Sequence, residues 1–146
     1  MITDNVKITG DVKLTLTGPD GAVKDEQHIK NLVVSAGKAF IASRMKDTTD
    51  DAMSHMAIGE DDTAANVADT ALGNEAGRVA LASTTVTSNS VEYIATFPAA
   101  TGTGAIVEAG LFNDASAGTM LCRTVFAVIN KGAADTISIT WTVTIN

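Results

Sequence analysis

Residues 136–146 alternate apolar and polar side chains along almost their whole length. The odd-numbered positions are apolar, whereas positions 138 to 144 carry Ser or Thr at every even number; the apolar set is Ile137, Ile139, Trp141, Val143 and Ile145. Successive side chains of a β-strand point to opposite faces. This segment therefore predicts a strand that packs on a core with one face only.

Similar runs recur along the chain, and turn-forming residues separate them. The clearest turn is Gly-Pro-Asp-Gly at residues 18–21, which suits a tight reversal of the chain. The other two breaks, at residues 87–90 and 113–118, consist mainly of small polar residues, which favour turns and loops over strands. Three hairpins are predicted: residues 12–17 with 22–29, residues 78–86 with 91–97, and residues 105–112 with 119–129.

One helix and one long loop interrupt the strands. The helix is predicted from Ser35 to about Met45, with the Ser35 side chain capping its first turn. Residues 59–75 lack periodicity and predict a long loop of the kind that forms interfaces. Seven or eight short strands with one helix predict a single all-β domain over residues 1–146, either a β-sandwich or a jelly-roll-like antiparallel fold.

Charge and hydropathy exclude two classes of partner. The chain has 17 acidic and 10 basic side chains, a net charge of −7, which opposes binding to nucleic acid. No apolar run approaches the roughly 18–20 residues that cross a bilayer, so no membrane partner is expected.

The N-terminus lacks the features of a signal peptide, which predicts synthesis and folding in a cytoplasm. Cys122 lies in an apolar run and is expected to be a buried thiol.

Reactive side chains are sparse. His28 and His55 have no neighbour at metal-ligand spacing, and the acidic run Glu60, Asp61 and Asp62 does not match a calcium-binding loop. We therefore predict no enzyme activity, no cofactor and no metal site. The acidic run is interpreted as part of a solvated loop.

Glu108 interrupts the apolar segment at residues 105–112. A carboxylate on a buried strand needs a cationic partner, for which Arg78 or Arg123 is available. We predict a structural ion pair, with Arg78 as the candidate partner of Glu108.

Several blocks of the sequence resemble a module of small structural proteins of tailed bacteriophages. The blocks are residues 28–38, 56–59, 69–75 together with Arg78, 106–113, and 138–143. Proteins of this group are capsid decoration (cement), collar or tail-fibre proteins. The resemblance implies a β-rich virion subunit that commonly forms homotrimers, is made in the cytoplasm of a bacterial host and binds the major capsid protein or tail proteins. It implies no catalytic residue.

Three functions follow as hypotheses. The first is a capsid decoration protein that stabilises the head by binding between capsomers, through residues 1–11 as an N-terminal contact arm and through residues of the long loop; the candidate contacts in that loop are Gly59, Glu60, Asp61, Asp62, Leu72 and Asn74. The second is a tail-fibre, collar or adaptor subunit. The third is a sugar-binding or hydrolytic β-sandwich, since such scaffolds host many unrelated activities.

Overall fold

Two five-stranded antiparallel sheets pack face to face in the computed structural model, which describes residues 4–46 and 50–146. The elements in chain order are β1 (Ile8–Thr17), β2 (Val23–Lys30), β3 (Leu32–Val33), α1 (Ser35–Ser43), β4 (His55–Gly59), β5 (Glu75–Ala80), β6 (Ser83–Thr87), β7 (Ser90–Phe97), β8 (Gly104–Phe112), β9 (Met120–Lys131) and β10 (Thr136–Ile145). The first sheet has the order β2-β1-β10-β7-β6, and the second has the order β3-β9-β8-β4-β5. This architecture confirms the prediction of an all-β sandwich with one short helix.

The three predicted hairpins are present, with one change. Strands β1 and β2 pair across the turn at residues 18–21, β6 pairs with β7, and β8 pairs with β9. The predicted strand at residues 78–86 is instead two strands in different sheets. The backbone explains the division, because Leu81 N–H donates to Ser54 O beside the second sheet and Ala82 N–H donates to Ile94 O in the first.

The helix is shorter than predicted and begins differently. It ends at Ser43, and Val34 occupies the N-cap position without a capping side-chain hydrogen bond. Ser35 is the first helical residue, and its N–H donates to Val67 O, so the predicted cap at Ser35 is wrong. Gly37 lets the helix pack closely on β9, since a Cβ there would lie 2.0 Å from Leu121 O. Among the described residues, no helix has the length and apolarity to span a membrane.

The main core fills the space between the sheets. The apolar side chains of β10 supply its centre, and Trp141 is fully buried with its Nε1–H donating to Asn31 Oδ1 at 2.9 Å. Cys122 is also fully buried, as predicted, and burial raises the pKa of its thiol. Along β10, buried apolar side chains alternate with more exposed polar ones up to Val143, and the pattern ends at Ile145, which is 45% exposed.

The predicted N-terminal contact arm is shorter than residues 1–11. Residues 8–11 belong to β1 and pair with β10, and Lys7 and Asn146 exchange backbone hydrogen bonds. Residues 1–3 of the predicted arm lie outside the described residues. Of the described part of the predicted arm, residues 4–7 are exposed and precede the first strand.

Asp135 anchors the turn between β9 and β10 and provides a test of pH dependence. Its carboxylate accepts hydrogen bonds from Gly132 N–H and Lys24 Nζ, and these bonds hold the pKa of Asp135 below its usual value. A carboxyl with a lower pKa in the folded chain adds stability at neutral pH, and that stability is lost as pH falls through the folded-state pKa. We expect the free energy of unfolding of the Asp135→Asn variant to fall less steeply than that of the wild type as the pH drops below about 4.

Urea unfolding at a series of pH values measures this effect, with Asp25→Asn as the matched control on β2. The Asp25 variant should keep the steep acid-side slope of the wild type. Equal slopes for the wild type and Asp135→Asn would contradict the assignment.

Candidate functional site

Residues 60–74, which we call the acidic loop, connect β4 to β5 and pack on the outer face of the second sheet. Leu72 anchors the loop in a second, smaller apolar cluster, whose other buried members are Val34, Ala57, Phe112 and Met120. Ala57 and Phe112 alternate along their strands with residues of the main core, so this cluster lies on the opposite face of the sheet. The loop is therefore a covering layer of the sandwich.

Glu108 fixes both ends of the acidic loop. The side chain is fully buried on β8, opposite Gly59 of β4. One carboxylate oxygen accepts the N–H groups of Asp61 at 2.9 Å and Asn74 at 2.8 Å, and the other accepts the N–H of Gly73 at 2.8 Å. Three backbone donors that would otherwise be unpaired near the sheet are thus satisfied by one side chain.

Arg123 is the cation that pairs with Glu108. Its Nη2 and Nε lie 3.1 and 3.2 Å from Glu108 Oε1, and its Nη1 donates to Asp69 Oδ2 at 3.0 Å. The guanidinium is almost fully buried, with a side chain that is 3% exposed. It ties the middle of the acidic loop, at Asp69, to the carboxylate that holds the two ends.

The predicted pairing of Glu108 with Arg78 is therefore corrected to Glu108 with Arg123. Sheet order gives the reason: β9, which carries Arg123, is directly beside β8, whereas β4 separates β8 from β5, which carries Arg78. The sequence does contain a signal for Arg123, because it interrupts the apolar run of β9 as Glu108 interrupts that of β8. Asp69 lacked any comparable signal.

Two glycines allow the close approach of the loop to the sheet. A Cβ on Gly59 would lie 2.4 Å from Asn74 O and 2.5 Å from Glu108 Oε2. A Cβ on Gly73 would lie 1.7 Å from Asp61 Oδ2. A side chain at position 59 would push the loop backbone at Asn74 away from the sheet, and a side chain at position 73 would force the Asp61 side chain to move.

The structure divides the six predicted contact residues into two groups. Glu60, Asp62 and Asn74 are exposed and Asp61 is half-buried. Gly59 and Leu72 are buried, so they support the loop from beneath and are not part of its exposed surface. Hydrogen bonds from Thr63 hold the pKa of Asp61 below its usual value, so this carboxylate is charged at neutral pH.

Arg78 organises the neighbouring loop at residues 113–118. Its guanidinium binds both carboxylate oxygens of Glu75, donates to the carbonyl oxygens of Asp114 and Ala117 at 2.9 Å each, and lies 3.8 Å from the ring centre of Phe112. This arrangement uses the planar fork of arginine, which lysine cannot reproduce. Arg78 thus joins β5, β8 and the loop.

Replacing Arg78 with lysine should destabilise the chain by about 1–3 kcal/mol, because the charge remains but the bidentate bonds, one or both carbonyl bonds and the stacking on Phe112 are lost. Urea unfolding followed by tryptophan fluorescence measures the change. Arg44→Lys is the matched control, since Arg44 is exposed, donates to the backbone oxygen of Asp50 and lies 5.9 Å from the Phe40 ring centre. A loss no larger than that of the control would contradict the role given to Arg78.

The two histidines lie apart from the acidic loop. His28 is exposed on β2, 3.9 Å from Asp11, and His55 on β4 shares a hydrogen bond with Ser54 Oγ at 2.8 Å. Within residues 4–46 and 50–146, no group of three or more His, Cys, Asp or Glu side chains is arranged to hold a metal ion. An open cleft of about 410 Å³ borders the loop, and its lining includes Asn31, Asp62 and Arg123.

No protein-family model, curated protein or solved structure matches the chain. Arg123 binds both Glu108 and Asp69, and Glu108 also binds the loop backbone, so these three buried or half-buried side chains hold the acidic loop in place. The exposed carboxylates of Glu60 and Asp62 lie on the outer surface of this loop.

Proposed function

We propose that this chain is a structural subunit of a tailed-bacteriophage virion and that it acts as a decoration protein, binding between capsomers of the head. The observation that carries the proposal is the buried carboxylate of Glu108, which accepts three backbone hydrogen bonds from the acidic loop and holds both of its ends against the sheet. A preordered loop loses little conformational freedom when it binds, so its contacts contribute more fully to affinity.

Three of the five sequence blocks that resemble phage structural proteins support the proposal, because they meet in space around this loop. Residues 56–59, 69–75 and 106–113 are separated along the chain, yet they supply Gly59, Gly73 and Glu108, whose contacts hold the loop. Three of the five blocks that carry the resemblance thus contribute to the support of this one loop.

Charge supports a protein partner on the outside of a head. The net charge of −7 disfavours contact with packaged DNA, and the exposed Glu60 and Asp62 suit a basic groove on a capsid surface. Complementary charge of this kind speeds association and selects the partner. Binding of this surface alone accounts for the proposed role.

Electron cryomicroscopy of the phage particle whose genome encodes this chain tests the proposal. We expect density for the sandwich on the shell, with the acidic loop facing a junction between capsomers. Density on a collar, fibre or adaptor of the tail would overturn the decoration role. Absence of the chain from the particle would overturn the virion role as well.

Rebinding to heads that lack the chain tests the acidic loop itself. Heads from a deletion mutant of the same phage would be mixed with purified chain and sedimented. The double variant Glu60→Lys and Asp62→Lys should bind roughly tenfold or more weakly, because charge reversal places like charges together. The control Glu26→Lys and Asp51→Lys makes the same change in net charge outside the loop and should bind normally; equal weakening by both pairs would contradict a role for the loop.

A further inference from the structure

Strand β6 is an edge strand that lacks the usual protection. It is last in the order of the first sheet, and it pairs on one side only, with β7, over residues 83–87. All five of its residues are exposed, and its sequence, Ser-Thr-Thr-Val-Thr, has no charge and no proline. An edge of this kind presents free backbone N–H and C=O groups to any strand that approaches.

The other three sheet edges are each protected. Strand β2 carries charged side chains at four of its eight positions, and its pairing with β1 has a register shift at Leu16 and Thr17. Strand β3 is only two residues long, and β5 carries Glu75 and Arg78 while the backbone of Gly102 packs against Gly77. Charge, irregular register and short length are the devices by which natural sheets avoid edge-to-edge pairing. Strand β6 is therefore the exception within the described residues.

The side chains of β6 also leave apolar surface uncovered. Val86 pairs with Val91 of β7, which in turn pairs with Val143 of β10, so all three lie on the face that points toward the second sheet. Val143 is 6% exposed, whereas Val86 is 70% exposed, because the second sheet does not extend over β6. A neighbour that extended the first sheet at this edge would cover Val86.

We propose that β6 pairs with β6 of a second copy of this chain, antiparallel and about a two-fold axis at Thr85, so that the two first sheets become one ten-stranded sheet. The absence of charge on the β6 edge allows a second copy to be the occupant. Most of the surface of a chain with net charge −7 repels an identical chain, but the β6 edge carries no charge on either partner.

The sequence of β6 is self-complementary in this register. Thr84 of each copy lies opposite Val86 of the other, and Thr85 lies opposite Thr85, which gives the hydroxyl and β-branched cross-strand pairs that stabilise sheets. Glu92 is the nearest acidic residue on the same face as Thr85. The two Glu92 side chains would be three strand spacings apart, roughly 14 Å, which is beyond the range of strong repulsion at physiological salt.

Sedimentation equilibrium of the purified chain from micromolar to millimolar concentration tests the pairing. We expect a reversible dimer of twice the 15.0 kDa chain mass. The double variant Thr84→Lys and Val86→Lys places four lysines together in the dimer and should raise the dissociation constant by roughly tenfold or more. The variant should fold normally, because both positions are exposed.

The matched control is Thr103→Lys with Val23→Lys, which changes the same residue types at exposed positions outside β6 and its partner strand β7. It should dimerise as the wild type does. Amide hydrogen exchange supplies a second measurement, since protection of residues 83–87 should rise with concentration in the wild type and not in the β6 variant. A chain that stays monomeric at millimolar concentration, or a dimer or trimer that the β6 lysines leave intact, would overturn the proposal.

Discussion

Replacing Glu108 with alanine is expected to lower the free energy of unfolding by about 3–5 kcal/mol. Among the described residues, the substitution leaves the buried Arg123 guanidinium with Asp69 and a backbone oxygen as its partners, and it removes the acceptor of three backbone N–H groups in the acidic loop. Both losses are of the kind that destabilises most, because a buried charge and buried donors are left without compensation.

Urea unfolding, followed by the fluorescence of the single tryptophan, measures this loss. The control is Glu60→Ala, an exposed carboxylate in the same loop, which should change stability by no more than about 0.5 kcal/mol. Hydrogen exchange should also show faster exchange at the N–H groups of Asp61, Gly73 and Asn74 in the Glu108 variant. A Glu108→Ala chain as stable as the control would mean that the loop does not depend on this carboxylate.

A double variant separates the ion pair from the backbone bonds. Glu108→Leu with Arg123→Met removes both charges and keeps apolar volume, a change that is often neutral for an isolated buried pair. Here it should recover only part of the stability, because the three backbone donors remain without an acceptor. Full recovery would show that the charges alone, and not the loop contacts, determine the effect.

The strands were predictable because their signal is local. The alternation in β10 needs no knowledge of the rest of the chain: each apolar residue from Ile137 to Val143 is buried, as the period of two requires. The turn at residues 18–21 is equally local. The break between β5 and β6 was not predictable, since it depends on hydrogen bonds from Leu81 and Ala82 to two different sheets.

The site was predictable only in outline. An acid on an apolar strand implies a buried cation, and that inference from Glu108 holds. The choice between Arg78 and Arg123 depends on which strand lies beside β8, and strand order is a property of the whole sheet. The burial of Leu72 beneath its loop likewise depends on Phe112 and on the apolar cluster around it, which are distant in sequence.

Trp141 is the centre of the main core, and replacing it with alanine should destabilise the chain by about 3–5 kcal/mol. The side chain is fully buried on the central strand of the first sheet, between Val12 of β1 and Tyr93 of β7. Its removal leaves a large cavity that neighbours fill only in part. Because the variant has no tryptophan, circular dichroism should follow its unfolding, with the exposed Val128→Ala as a control that should change little.

The variant Trp141→Phe tests the contribution of the indole N–H group of the same residue. The indole N–H is the donor to Asn31 Oδ1, and Asn31 lies between β2 and β3, where the chain passes from one sheet to the other. Phenylalanine keeps much of the apolar volume but leaves this oxygen without its donor, which should cost about 1–3 kcal/mol beyond the smaller cavity. Hydrogen exchange should then rise at residues 30–33, near the crossing, more than in the rest of the core. If Trp141→Phe matches the wild type in stability and in exchange at these residues, the bond to Asn31 does not stabilise the crossing between β2 and β3.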